Sequence, residues 1–435
     1  MWAKIGKFGA MTLAAAAVPL AWPVVAKVIG TNQPAPSLTR ERISTLPVRE
    51  RAAWLAYLAR SEAAMRADRA SLAAELRPGE TPPPPPLAKA GGHKNAPLDR
   101  DVVWYTSAEA KRIGDTIVSF QTPAGGWSKN QDRGGPARLR GQRFANDAET
   151  MVLDPTNFDA PADRFWTFVG TIDNDATTHE MHYLGRLAAA LPGRDGDRYR
   201  ASFVKGVRYL LAAQYPNGGW PQVYPLEGGF HDGITFNDNG VALVAMLLED
   251  VAEHATYRFV PADLRTKART AVARATDVIL RAQVRQNGRL TGWPQQVDAL
   301  TLAPISARNY EPRSIASGET TDILMFLMRQ PRPTPAMRTA IDAGVAWLQS
   351  VAVNDVAFTR TAEGRKLLPK AGAGPLWSRN YDLVTGKPIF GDKDKSIHDD
   401  VNGISEGRRN GYSWWMDVPK RAIAAYPAWQ ARVTG

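Results

Sequence analysis

Two acidic turns, an arginine loop and a late arginine–aromatic segment hold the side chains of this 435-residue chain best suited to chemistry. Asp173 lies in Thr171-Ile172-Asp173-Asn174-Asp175-Ala176-Thr177-Thr178, and Asp238 in Ile234-Thr235-Phe236-Asn237-Asp238-Asn239-Gly240. Taken singly, each reads as a helix cap, a role Asp fills routinely. Each run carries more polar residues than one cap needs, however, and each follows a Trp-bearing loop. Carboxylates converging at one rim are hard oxygen ligands suited to Ca²⁺, whose remaining sites water and a substrate carboxylate would fill.

Arg308 occupies Ser306-Ala307-Arg308-Asn309-Tyr310-Glu311, between Pro304 and Pro312. A lone Arg is commonly a surface ion-pair partner, but a place at a cavity rim favours anion binding. Glu406-Gly407-Arg408-Arg409-Asn410-Gly411-Tyr412-Ser413-Trp414-Trp415 sets two guanidinium forks, which match carboxylates, beside flat aromatic faces, the composition of a site for acidic sugars. His179-Glu180-Met181-His182 has i,i+3 histidines rather than the i,i+4 spacing of zinc proteases, and reads as helix packing. The absence of cysteine excludes disulfides, thiolate zinc sites and a cysteine nucleophile.

The elements that must position these groups are announced by a repeat. A helical run ends in Gln, and a Gly-Trp loop follows: Gln121 then Gly126-Trp127-Ser128-Lys129-Asn130, Gln214 then Gly219-Trp220-Pro221-Gln222, and Gln283 then Gly292-Trp293-Pro294-Gln295. Gln349, with Trp377-Ser378-Arg379-Asn380 further on, echoes the first loop. Constant order with unequal spacing is the mark of helical hairpins whose loops have diverged. Outer helices are predicted at 107–121, 197–214, 262–283 and 335–349, and more apolar inner ones at 175–191, 239–254, 318–328 and about 415–425. Strand signals are scarce. The expected fold is therefore all-α: antiparallel α/α hairpins closed into a toroid, with short β pieces in the loops. The many Trp, clustered in those loops, suggest exposed stacking or packing platforms.

Basic residues exceed acidic ones, giving a net charge of +11 that steers polyanions to the surface without distinguishing nucleic acid from acidic polysaccharide. Residues 1–26 combine a short cationic start, an apolar run and the cleavage-like Val24-Val25-Ala26, a secretory leader rather than an uncleaved anchor. Residues 27–87 form a helical N-terminal extension closed by the proline run 82–86, and 88–435 the main domain. The protein is expected to be secreted or periplasmic, monomeric and free of the membrane once the leader is removed.

Gly125-Gly126-Trp127-Ser128-Lys129-Asn130, Thr171-Ile172-Asp173-Asn174-Asp175-Ala176-Thr177, Tyr215-Pro216-Asn217-Gly218-Gly219-Trp220-Pro221-Gln222, Phe236-Asn237-Asp238-Asn239, Ala307-Arg308-Asn309-Tyr310-Glu311 and Arg408-Arg409-Asn410-Gly411-Tyr412 together resemble the family 10 polysaccharide lyases, the pectate lyases. Six ordered motifs from about 106 to 415 make the resemblance specific. It implies an α/α toroid and Ca²⁺-assisted β-elimination of de-esterified polygalacturonate. It also implies that Asp173 and Asp238 are the calcium-site aspartates and Arg308 the base. Arg409 or Arg408 would bind a substrate carboxylate, and Lys129, Asn130, Trp127, Trp220 and Tyr310 would line the subsites. Arg313 departs from the family pattern, in which that position is apolar. Removing the C5 proton of a uronate requires a cation to neutralise the adjacent carboxylate. An arginine base also requires positive neighbours and desolvation to lower its pKa.

Three rivals remain: an inverting glycoside hydrolase with paired carboxylates, a non-catalytic polyuronate-binding protein, and a nucleic-acid binder suggested by charge alone. A lyase leaves an ultraviolet-absorbing double bond; a hydrolase does not.

Overall fold

The structure, a computed structural model, describes residues 26–146, 157–158, 163 and 166–434. The expected leader, residues 1–26, lies outside them except for Ala26. Strand β1 (Val28–Thr31) opens the chain, followed by helices α1 (Arg40–Ser44) and α2 (Val48–Ala74). Then come α3 (Ala108–Ser119), α4 (Thr178–Ala190), α5 (Asp197–Ala213), α6 (Gly240–Glu253), α7 (Ala262–Arg281), α8 (Ser317–Arg329) and α9 (Pro335–Ser350). A hairpin of β2 (Val356–Thr361) and β3 (Gly364–Pro369), strands β4 (Phe390–Gly391) and β5 (Ser396–His398), the short α10 (Glu406–Asn410) and α11 (Lys420–Thr434) complete it.

Helices α3, α5, α7 and α9 form an outer layer in which each packs on the next, and α4, α6, α8 and α11 line the inside. This is the all-α toroid that the repeat predicts. The last inner helix begins at Lys420, later than expected, because Trp415 and Met416 are drawn into a two-residue strand against Ser378 and Trp377. Inner helix α6 buries Val241, Val244, Leu247, Leu248 and Val251 between its neighbours, as its nearly continuous apolar sequence requires.

The repeated Gln and Trp turn out to be the joints of this architecture. Trp127, Trp220, Trp293 and Trp377 are wholly buried, and each indole N–H donates at 2.7 Å to a last-turn carbonyl of the preceding outer helix: Ile117, Leu210, Ile279 and Leu348. Last-turn carbonyls such as these lack the i+4 N–H of a continuing helix, so each Trp satisfies a helix end while filling the core. Gln121, Gln214 and Gln283 use both amide hydrogens. One goes to their own loop (Gly125, Gly218 and Thr291 O), the other to the next outer helix (Ser202, Ala271 and Ala340 O), all at 2.8–2.9 Å. Gln349, the fourth, is exposed and makes no such bond among the described residues. Of the two readings of the Trp loops, packing is the one the fold adopts.

The N-terminal extension is built into the domain rather than hung from it. Trp54, Tyr57 and Leu58 of α2 belong to the main apolar core, and the Tyr57 hydroxyl donates to Ala213 O at 2.9 Å. The buried Asp68 carboxylate accepts from Ala124 N at 2.7 Å.

Replacing Gln214 by Ala leaves the Gly218 carbonyl without that donor and the Ala271 carbonyl with its helix bond alone, so we expect a loss of about 1–3 kcal/mol. Gln349→Ala should cost less than about 0.5 kcal/mol, as for an exposed site. Denaturant midpoints check this; equal effects would sink the joint role of the buried amides.

Candidate active site

The joints also fix the rim. The chain entering each inner helix is stitched to the Trp carbonyl of its own repeat and to a carbonyl of the next one. Thr171 N donates to Trp127 O and Ile172 N to Gln222 O. Thr235 N donates to Trp220 O and Phe236 N to Gln295 O, then Ala316 N to Trp293 O and Ser317 N to Arg379 O. The second residue after each Trp (Lys129, Gln222, Gln295, Arg379) therefore stands at the entrance to the inner helices, where Asp173, Asp238 and Glu319 lie.

The backbone there is strained. Asn130, Phe168, Asn174, Asp175, Thr177, Asp238 and Asn239 all have positive φ, between 47° and 66°. Thr177 is the costly one, being β-branched, and its hydroxyl holds it by donating to Thr171 O at 2.8 Å while accepting from Trp127 N at 3.1 Å. Such strain persists only where surrounding structure enforces it, and it collects at working sites. Neither Asp173 nor Asp238 caps a helix: α4 and α6 begin at Thr177 and Asn239 as caps, without a side-chain cap bond. The single-cap reading of the two aspartates is thereby removed.

Buried Asp173 pairs through Oδ2 with Lys129 Nζ, and Asn237 Nδ2 lies 3.4 Å from its Oδ1. Lys129 Nζ also sits 3.5 Å from the Phe168 ring centroid. The loop bearing Lys129 and Asn130 is braced from below by Arg133, which donates to Ser128 O at 2.9 Å and to Glu180 at 2.7 Å in a fully buried ion pair. Burial alone would raise the Asp173 carboxyl, but Lys129 outweighs it and holds the group below the ordinary value. Asp238 has no such partner. Although its side chain is exposed at the cavity, desolvation by the surrounding protein, then the Asp173 charge, push its carboxyl up to about 7, with Glu319 and Glu311 adding to the effect against Arg379.

Asp238 lines a cavity of about 490 Å³ with Asn130, Asn174, Asp175, Asn239 and Asp322. His93 and Lys94, from the stretch after the proline run, close its far side.

Arg308 grips Glu311 with both arms, Nε to Oε2 and Nη2 to Oε1 at 2.7 Å, and its guanidinium lies 4.8 Å from the Tyr310 ring centroid. Burial would lower this arginine's pKa, but the Glu311 carboxylate dominates and holds it well above its usual value. The same pairing overcomes burial to bring Glu311 to about 2. The Tyr412 hydroxyl donates to Glu311 Oε1 at 2.5 Å, and the Tyr412 ring lies 4.6 Å from the Arg379 guanidinium. Arg379 in turn donates to Asn237 Oδ1 at 2.9 Å and Glu319 Oε1 at 3.0 Å. A continuous chain of polar contacts thus runs from Asp173 through Asn237, Arg379 and Tyr412 to Glu311 and Arg308.

The structure gathers Lys129, Asn130, Asp173, Asp238, Arg308, Tyr310 and Arg408 into one region. Arg408 stacks 3.9 Å from the Tyr310 ring centroid, beside Arg308. Three expected contact residues sit elsewhere or present nothing to a ligand. Trp127 and Trp220 have no exposed ring, because their indoles close the helix ends. Arg409 is buried, donating to the backbone oxygens of Glu363, Arg365, Asn402 and Ile404, so its guanidinium braces the β2–β3 hairpin. Of the two arginines, Arg408 is the one placed among the aromatics of the site. Arg313 is exposed.

Sequence reading did not single out Arg379, Asn237, Glu311, Glu319 or Tyr412. Arg379 had a signal, since it stands in the fourth loop where Lys129 stands in the first. Glu311 stands i+3 from Arg308, within pairing distance on a turn. The histidines pack as expected: His179 Nε2 lies 2.8 Å from Ala96 O, and burial drives His182 down to about 4. No group of three or more His, Cys, Asp or Glu side chains with metal-site geometry occurs among the described residues. The acidic pair Asp173 and Asp238 is the place where a cation could sit.

The model of the pectic acid lyase family matches residues 121–423. Two solved structures are similar. One is a family 10 polysaccharide lyase from Cellvibrio cellulosa, 33% identical, with a TM-score of 0.63 over 78% of this chain and 97% of that one. The other is an aspartate-to-alanine mutant of a family 10 polysaccharide lyase from the same organism in complex with trigalacturonic acid. It is 33% identical, with a TM-score of 0.62 over 77% of this chain and 98% of that one. No curated protein matches the chain.

A carboxyl raised in the folded state favours folding at low pH; that contribution is complete below the unfolded value and disappears as pH rises through about 7. Asp238→Asn should therefore melt higher than wild type at pH 8 in EDTA, with an advantage that grows between pH 4 and 8. Asn tolerates the left-handed backbone, so a pH-independent offset is expected as well. Parallel melting curves across that range would contradict the electrostatic account.

Proposed function

The chain belongs to the pectic acid lyase family and is a polysaccharide lyase, and from that premise we propose that it cleaves de-esterified polygalacturonate by Ca²⁺-assisted β-elimination. The observation that carries the proposal is the convergence of Asp173 and Asp238 with the Arg308 loop. The trigalacturonic acid held by the related Cellvibrio enzyme supports an acidic substrate here too.

Asp173 and Asp238 are the proposed calcium ligands. Their donor chemistry fits: the Asp238 carboxylate accepts no hydrogen bond among the described residues, and the buried Glu319 Oε2 nearby has no partner. Such unneutralised anionic oxygens suit a hard divalent cation. When bound, Ca²⁺ would offset the uronate carboxylate charge and so acidify the C5 hydrogen.

Arg408, stacked on Tyr310, is the proposed partner of a second uronate carboxylate, with Lys129, Asn130 and Tyr310 as further contacts. Arg308 is the proposed base. It would take the C5 proton as the C4–O bond breaks, the electron pair leaving on the glycosidic oxygen and a C4–C5 double bond remaining in the product. Because Glu311 holds Arg308 charged, this role requires the ion pair to open and the guanidinium to release a proton to solvent before it can accept the one from C5. Tyr412, already donating to Glu311, and Arg379, whose charge reaches it, are the groups able to steady that carboxylate once Arg308 turns away. The reading extends to an exported protein, supported by the leader pattern of residues 1–26, and to a monomer.

Purified protein mixed with polygalacturonate should generate ultraviolet-absorbing product, abolished by EDTA and restored by Ca²⁺. Arg308→Lys should lower kcat by about 100-fold or more, the usual scale for a general base. New reducing ends without absorbance would favour the paired-carboxylate hydrolase, and binding without turnover the carbohydrate-binding protein. Near wild-type turnover in Arg308→Lys would remove arginine as the base.

A further inference from the structure

The loop that carries Arg308 does not stand on the toroid alone. Strand β1, from the first described residues, runs antiparallel to β5, and β4 lies on the other side of β5. This three-stranded sheet backs the loop. Gly391 in β4 leaves no room for a Cβ beside the Tyr310 backbone oxygen, so sheet and loop are in direct contact. Asn309 Nδ2 reaches Lys393 O at 3.3 Å.

The contact at the end of β1 is more specific. Asn32 is 4% exposed, and its Nδ2 donates at 3.0 Å to both Arg308 O and Asn309 O. Its own backbone N–H donates to Lys395 O at 2.7 Å, tying it to the β4–β5 turn. One residue on, Gln33 O accepts from the Ser306 hydroxyl at the other end of the same loop. The strap is anchored further along as well: Leu38 N donates to Asp232 at 2.8 Å, and Arg42 pairs with Asp298 at 2.5 Å. The contacts of Asn32 and Gln33 with the Arg308 loop span more than 270 residues of sequence, and the strap lies outside the stretch that matches the family.

We propose that Asn32 is a positioning residue for the reaction, and that the N-terminal strap acts through it to hold the Arg308 turn in its working shape. The physical argument is one of backbone acceptors held by a side-chain donor. The turn is closed by Glu311 N donating to Arg308 O at 2.8 Å and by Ala307 N donating to Glu311 O at 3.0 Å. Asn32 binds the second lone pair of Arg308 O and the adjacent Asn309 O, so it fixes the peptide planes from which the guanidinium projects. Without it both carbonyls lose this donor, Arg308 O keeping the Glu311 N–H, and the turn can rotate them toward solvent only by moving Arg308. The assignment of Asn32 to catalysis rests on the lyase reading above; the structural half does not.

The test uses the full chain carrying Asn32→Ala. We expect kcat on polygalacturonate to fall about 10-fold or more with KM within about 2-fold of wild type, because the substrate contacts are elsewhere. Hydrogen exchange at the amides of Ala307, Arg308 and Glu311 should quicken about 10-fold, while those of α4 and α6 stay unchanged. Ser306→Ala, which removes only the tie to Gln33, should move both readouts in the same direction by a smaller factor, and stands in if Asn32→Ala does not fold. Unaltered kcat, unaltered exchange in the 306–311 loop, or exchange that quickens equally in the core helices would overturn the proposal. If the wild-type protein makes no unsaturated product the lyase reading fails, and exchange alone then decides whether the strap holds the turn.

Discussion

The structure depends on the hydrogen bond between a buried indole and the last turn of the helix before it. A helix ending inside a protein leaves carbonyls that water cannot reach, and an array of hairpins must solve that problem once per repeat. Here Trp supplies both the donor and the bulk that seals the junction, and Gln carries the same solution sideways to the next outer helix. Because the indole fixes the loop that follows it, the carbonyls of that loop are aimed at the entrance of the inner helices. The functional rim is a by-product of terminating helices in a dry place.

The rim concentrates charge of both signs with little net surplus. Lys129 faces Asp173, Arg308 faces Glu311, and Arg379 reaches Glu319 while lying over Tyr412. Each of those carboxylates has a cation within reach, so burying them is tolerable. Asp238, exposed at the cavity, lacks a cation in hydrogen-bond contact, and lost solvation with the Asp173 charge raises its pKa. A paired network with one unmatched anion is poised for a cation in a way that a uniformly acidic patch is not, since only the unmatched group gains much from it. The left-handed backbone at Asn174, Asp175, Asp238 and Asn239 turns these polar side chains to the cavity rather than into side-chain cap bonds.

The clustering of tryptophans was visible in the sequence, but their orientation was not. A Gly-Trp loop carries no mark that separates a ring offered to a sugar from one driven into the core; the acceptors that decide it, Ile117 and Leu210, lie ten residues upstream on a helix face. Arg408 and Arg409 pose the same problem, because adjacent residues on the short α10 point apart, and only the position of the β2–β3 hairpin determines which guanidinium is consumed by backbone oxygens. The N-terminal extension is a similar case. Asn32 acquires its significance from partners at Arg308 and Asn309, far along the chain.

What the amino-acid order determined by itself is everything local and periodic: the helices, their inner or outer character, the repeat, and the acidic turns and arginine loop whose ordered motifs mark the family. These follow from apolar spacing and from residues acting within a few positions of one another. The tertiary structure alone decided which polar groups meet. Pairing of Arg308 with Glu311 was within local reach, but the coupling of Asp173 to Asp238, the role of Arg379, the burial of Trp127 and Trp220, and the support of the Arg308 turn by Asn32 are contacts between distant segments. Such contacts depend on helix packing and loop closure, which set distances that no sequence spacing encodes.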